Sequence, residues 1–208
     1  MNGYDRLHPR YDIREPISIE MMEQMPHALS HVCFSKYEET LFLAAFSLAF
    51  SAFLRVGELT VKSSKEFDHV LSKHDVLIDT SRRTVFVTVR FSKTDQMGLT
   101  STLAIDQNRN LVGLIDTLQQ YISIRPNVQG PFFCHLNGKP ITRYQFHSIL
   151  KSALRFLNYD VNKFNTHSFR IGAATFAFLN GNSESEIKDM GRWRSSTYKR
   201  YIRINTRN

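Results

Sequence analysis

His167-Ser168-Phe169-Arg170-Ile171-Gly172 and, further on, Gly191-Arg192-Trp193-Arg194-Ser195-Ser196-Thr197-Tyr198-Lys199-Arg200-Tyr201-Ile202-Arg203 carry most of the chemistry in this chain. His167 and Arg170 are three residues apart, which places both side chains on one face of a helix. From Gly191 to the end there are six basic residues (Arg192, Arg194, Lys199, Arg200, Arg203 and Arg207) and no acid. A phenol is a poor nucleophile at neutral pH, because its ordinary pKa is about 10. It becomes useful where cations neutralise an anionic substrate and stabilise charge in the transition state. The anion that suits such a cluster is a DNA phosphodiester.

The composition agrees. The 208 residues carry a formal net charge of +8, with 42% hydrophobic and 22% charged residues. The apolar content suffices for one domain with a real core, and the charge favours a polyanionic partner through counterion release. Two cysteines, Cys33 and Cys134, make neither a disulfide framework nor a metal-ligand spacing. They read as buried free thiols of a reducing compartment. The N-terminus lacks the apolar core of a signal peptide. The apolar run from Leu41 to Leu54 is too short to span a bilayer and reads as a buried helix. No membrane association and a nuclear location, or a cytoplasmic one in a prokaryote, are therefore expected.

Working outward, residues 1–15 are polar, hold Pro9 and lead into Pro16, and read as a linker or arm. Residues 16–208 read as one domain. Ser18 is a helix N-cap, and Pro26 is expected to end or bend the helix it opens. A second helix spans about 35–54, apolar almost all round. Arg55-Val56-Gly57-Glu58-Leu59 sits at its end, where Arg55 can cap the helix dipole and pair with Glu58. Strand character follows at 75–79, 84–91 and 98–105. Ser81-Arg82-Arg83 makes the first turn, and Lys93 stands at the tip of the second. Helices are expected at 111–124 (capped by Asn110), 142–157, 167–179 and 184–190, and a last one carries the tyrosines. A short extended piece at 130–135 precedes the turn Asn137-Gly138-Lys139-Pro140. The fold class is α+β, mostly α-helical, with a small three-stranded antiparallel sheet.

H-S-F-R-I-G-A-A-T and G-R-W-x-S-S-x-x-Y-x-R-Y-I-R resemble the closing boxes of the tyrosine recombinase (phage integrase) family. They are most similar to the recombinases of Crypton and DIRS-type mobile elements. R-x-G-E-L at Arg55 resembles the family's first box, and S-K-T at Lys93 resembles its β-hairpin lysine. The resemblance spans roughly residues 16–205 and implies a site-specific DNA recombinase or integrase catalytic domain acting through a 3′-phosphotyrosyl bond. In that reading Arg55 and Arg170 grip the scissile phosphate, for which the bidentate, permanently charged guanidinium is suited, and Glu58 is a buried supporting acid. Lys93 protonates the leaving 5′ oxygen. His167 binds the phosphate or accepts the tyrosine proton. A further phosphate donor is either Trp193, eight residues before Tyr201, or Arg192, nine before it. Trp193 is preferred because G-R-W is the form in the mobile-element branch.

Tyr201, the tyrosine of Y-I-R, is the implied nucleophile, and Tyr198 is left to packing. Arg192, Arg194, Lys199, Arg200 and Arg203 would contact DNA. No carboxylates have convincing metal-ligand spacing, so neither a metal nor any other cofactor is expected, and the retained phosphodiester energy makes ATP unnecessary. The partner is double-stranded DNA, on which the protein would self-assemble. Family members carry an N-terminal helical domain that completes a clamp around DNA, and here it would have to come from a separate domain. A different reading is a non-catalytic DNA-binding module derived from a mobile-element recombinase. A type IB topoisomerase would use similar chemistry but fits the G-R-W-x-S-S pattern poorly.

Overall fold

The computed structural model describes residues 13–62, 69–90, 100–106 and 113–204. Its first helix, α1 (Ile19–Val32), is opened by Ser18, whose hydroxyl accepts the Met21 N–H at 3.3 Å. Pro26 neither ends this helix nor stops it from reaching Val32. A proline inside a helix removes one backbone donor. Here Met21, Met22, Met25, Ala28 and Leu29 bury a continuous stripe that outweighs that loss.

Ser35 caps α2 (Lys36–Ser51) by accepting from the Glu38 N–H at 3.2 Å. Burial runs unbroken through Thr40, Leu41 and Phe42 and from Ala44 to Phe50, so α2 is the central element. It stops at Ser51 rather than Leu54, because Phe53 takes a left-handed conformation at φ 51°. That conformation is costly for a bulky residue. Phe53 nevertheless stays buried, its ring edge-on to Trp193 with centroids 6.2 Å apart. The expectation for Arg55 changes accordingly. It does not close α2 but is the N-cap of a new short helix, α3 (Val56–Leu59).

The sheet is antiparallel in the order β1 (Val76–Asp79), β2 (Thr84–Val89), β3 (Ser101–Ile105), with Val76 opposite Val87 and Val87 opposite Leu103. Val85, Val87, Val89 and Ile105 face the core. The β2–β3 connection, and Lys93 with it, lies outside the described residues. So does Asn110, the expected cap of the next helix. Helix α4 (Leu114–Ile124) begins instead after Gly113, whose φ of 59° cannot continue a helix backward. Thr142 and Gln145 form a capping box at the start of α5 (Arg143–Phe156). Phe46 of α2, Phe146 of α5 and Phe169 of α6 (Ser168–Leu179) meet with ring centroids 4.8–5.6 Å apart. Gly172 of α6 is needed for close approach, since a Cβ there would run into the Ile17 carbonyl.

Helix α7 (Glu184–Gly191) and a 3₁₀ helix (Ser196–Tyr201) complete the described chain. They pack on α6 through a second apolar cluster that includes Phe53, Ala173, Ala177, Ile187, Trp193 and Tyr198. This cluster carries the tyrosines beneath the end of α2. Among the described residues, no helix is long and apolar enough to cross a membrane.

Candidate active site

Arg170 is fully buried. Its Nη1 donates to the carbonyl of Phe53 and its Nη2 to the carbonyl of Gly191, so one guanidinium ties the exit of α2 to the end of α7. The left-handed turn at Phe53 and the carbonyl end of α7 are thus what receive the cation, in keeping with the dipole of a helix C-terminus. The guanidinium lies 4.3 Å above the Trp193 ring and 5.5 Å from that of Tyr201. Burial lowers its pKa, and the like charges of Arg55 and Arg192 add to the effect. A guanidinium retains its proton under such pressure, so the charge stays in the protein interior.

Glu58 is 5% exposed and is the carboxylate that balances this charge. It accepts from the Arg55 backbone N–H at 2.8 Å, the Arg55 Nη1 at 3.4 Å and the Arg192 Nη2 at 2.8 Å. The first two contacts follow from local sequence. Arg55 is the N-cap of α3 and Glu58 its third residue, the spacing at which a side chain returns to the cap N–H. The third contact depends on tertiary structure. Arg192 holds a left-handed backbone (φ 54°) at the end of α7, where glycine is the usual residue. Its side chain is only 8% exposed. Burial, before the charge of Arg55, lowers its pKa, and Glu58 opposes the shift. Arg192 therefore does not join the exposed DNA-facing cations expected from the sequence. It joins the buried Arg170 and Glu58 and the partly exposed Arg55, three guanidiniums near one carboxylate, with an excess of positive charge. The Nε of Arg170 and the Nε and Nη1 of Arg192 are buried without a hydrogen-bond partner among the described residues.

Tyr201 lies beside this group. Its hydroxyl is 3.1 Å from His167 Nε2, and the two rings stack with centroids 5.5 Å apart. His167 is positioned as the N-cap of α6, with its own N–H donated to Asn165 Oδ1 at 2.8 Å. The Thr175 hydroxyl donates to the Tyr201 carbonyl at 3.2 Å and accepts the Arg203 N–H at 3.0 Å, fixing the 3₁₀ helix on α6. Trp193 is buried, its ring centroid 4.9 Å from that of Tyr201. A Cβ on Gly191 would overlap the Trp193 ring, which is why the residue two before it is glycine. Tyr198 is buried in the cluster below.

The structure thus brings together Arg55, Glu58, His167, Arg170, Trp193 and Tyr201, residues that span 147 positions of sequence, and adds Arg192. Arg194, Lys199 and Arg200 are exposed and Arg203 is half-buried, with Lys199 3.9 Å from Glu184. Lys93 falls outside the described residues. Among the described residues, no group of three or more His, Cys, Asp or Glu side chains could hold a metal ion. Chemically, the arrangement offers a phenol, a nitrogen base able to take its proton, and buried fixed cations for an anion to meet.

No family model and no curated protein matches the sequence. Solved structures do match. The XerH site-specific recombinase bound to difH substrate aligns with a TM-score of 0.68 at 12% identity over 94% of this chain and 52% of that one. The XerA recombinase aligns at 0.67 and 17% identity, covering 99% and 65% respectively. A lambda integrase dimer bound to a COC′ core site aligns at 0.65 and 16% identity, covering 94% and 49%. The chain thus spans from about half to just under two thirds of the length of these proteins. At such identities the likeness concerns architecture: the chain has the tyrosine recombinase catalytic fold.

Proposed function

We propose that this chain is the catalytic domain of a site-specific tyrosine recombinase, which cuts and rejoins double-stranded DNA through a 3′-phosphotyrosyl intermediate. The observation that carries the proposal is the 3.1 Å contact between His167 Nε2 and the Tyr201 hydroxyl beside a buried excess of guanidinium charge. In the cleavage step the Tyr201 oxygen bonds to phosphorus as its proton passes to His167. The bond from phosphorus to the 5′ oxygen breaks, and that oxygen takes a proton, a role the family resemblance gives to Lys93. The resemblance gives the non-bridging oxygens to Arg55 and Arg170. Here the partly exposed Arg55 meets them directly. Arg170, whose Nη1 and Nη2 are donated to the Phe53 and Gly191 carbonyls, adds its charge from behind, where the pentacoordinate transition state needs it most. Glu58 orients Arg55. Trp193 supports Arg170 from below, and Arg192 supplies the further cation. A 5′ hydroxyl attacking the phosphotyrosine reverses the step, so one phosphodiester replaces another without ATP. No step calls for a metal, since the guanidiniums neutralise the phosphate.

The likeness of the boxes to Crypton and DIRS elements supports a mobile-element origin and a nuclear site of action. Assembly on DNA, and an N-terminal domain supplied separately to close around the duplex, complete this reading. The alternative, a DNA-binding module that keeps the site without using it, is separated by one assay. The protein is incubated with a nicked suicide duplex in the presence of a chelator and resolved in denaturing gels. A protein–DNA adduct is expected. Duplex binding without adduct, even with an N-terminal domain added, would replace the recombinase by the binding module.

A further inference from the structure

Beside His167, a cavity of about 460 Å³ is lined by Arg14, Lys62, Arg143, Tyr144, His147, Asn165, Thr166 and His167. Three of these carry permanent positive charge, two are imidazoles, and none is acidic. The cavity is built into the same framework as the candidate active site. Arg143 donates its N–H to the Val61 carbonyl at 3.0 Å, which joins the start of α5 to the chain leaving α3. Its Nη2 would stand 3.4 Å from a Cβ on Gly57, so the guanidinium lies against the residue two after Arg55. His167 is shared, lining the cavity while touching Tyr201. His147 Nε2 is buried there without a hydrogen-bond partner among the described residues. Tyr144, 80% exposed, stands at the rim.

We propose that this cavity is a second phosphate subsite, which holds the DNA backbone adjoining the phosphate attacked by Tyr201. The inference rests on the recombinase reading and deepens it by stating where the strand runs. Lys62 and Arg143 form no ion pair among the described residues, and the repulsion between such neighbouring like charges is relieved by a polyanion. A DNA strand carries a charge about every 3.4 Å along its axis. A strand with one phosphate at Tyr201 therefore delivers others to a cavity that begins at His167. Lys62 and Arg143, both exposed, would meet these phosphates, Arg143 through its two-pronged donor. Tyr144, Asn165 and Thr166 add neutral donors.

The test uses Lys62→Gln, Arg143→Gln and the double variant, with duplex binding measured across a salt series. Each phosphate contact contributes about 0.9 to the slope of log K against log salt. Each single variant should therefore reduce the slope by about 1 and the double variant by about 2. A control with the same charge loss elsewhere, Lys36→Gln with Arg82→Gln, should stay near the unsubstituted slope. Both control residues are more than 70% exposed. A double variant indistinguishable from the control overturns the subsite. The adduct assay on the unsubstituted protein separates the two proposals. Adduct with an unchanged slope removes the subsite alone, whereas a reduced slope without adduct removes catalysis and leaves the subsite standing. No duplex binding at low salt by the unsubstituted protein overturns both.

Discussion

Glu58→Ala is the substitution whose consequence the geometry defines most sharply. The carboxylate accepts three donors, two of them on different guanidiniums, at 2.8, 3.4 and 2.8 Å, and it is 5% exposed. Its removal leaves the buried Arg170 and Arg192 and the partly exposed Arg55 without the carboxylate that accepts from two of them, and guanidiniums have no means of shedding charge. Removing one partner of a buried ion pair costs about 3–5 kcal/mol. In a domain of this size each kcal/mol shifts Tm by about 2–4 °C, so a fall of about 6–20 °C is expected. Calorimetry or circular dichroism at pH 7 measures it. Adding Arg192→Met to Glu58→Ala removes a stranded charge as well, so the double variant should melt above Glu58→Ala, with a coupling of about 0.5–3 kcal/mol. Glu58→Gln, which still accepts one hydrogen bond, should fall between. A Glu58→Ala protein that melts within about 2 °C of the unsubstituted one, or a double variant with strictly additive cost, would refute the claim that one carboxylate balances this cluster.

Two further predictions concern neighbouring features. Gly191→Ala places a methyl group where the Trp193 ring lies, so the ring must leave its place below Arg170. Overpacking of this kind costs about 1–3 kcal/mol, and Trp193, the one tryptophan of the chain, should report the move as a changed emission maximum; an unchanged spectrum counts against the stacked arrangement. Burial, followed by the charge of Lys151, lowers the pKa of His147 below its usual 6.5. The unfolded chain therefore takes up this proton first as the pH falls, so the stability His147 contributes is present above 6.5 and declines below it. Thermal melts between pH 7.5 and 5 should fall less steeply for His147→Gln than for the unsubstituted protein, and equal slopes would contradict the assignment.

The local parts of this fold were legible in sequence because their causes are local. Ser18, Ser35 and Thr142 each cap a helix by bonding an N–H three residues on, and the alternating residues of Thr84–Val89 bury one face of a strand. Arg55 and Glu58 could be paired for the same reason. What could not be read depends on residues distant in sequence. Pro26 is tolerated because five side chains of α1 are buried by other helices. Phe53 and Arg192 hold left-handed backbones, one receiving Arg170 at its carbonyl and the other reaching Glu58. Counting cations after Gly191 placed Arg192 with the exposed ones, and only the fold separates it from Arg194 and Arg200. The cavity beside His167 was also invisible, since Arg14, Lys62, Arg143 and His147 share no motif.

The central claim is that Tyr201 is the nucleophile, and its most direct test compares Tyr201→Phe with Tyr198→Phe on the nicked duplex. Tyr201→Phe removes one oxygen and keeps the ring that packs on Trp193 and His167. It should retain folding and DNA binding and form no covalent adduct. Tyr198→Phe alters a residue of the apolar cluster and should still form it. Adduct from Tyr201→Phe together with its loss in Tyr198→Phe would contradict the account and move the nucleophile one turn back along the chain.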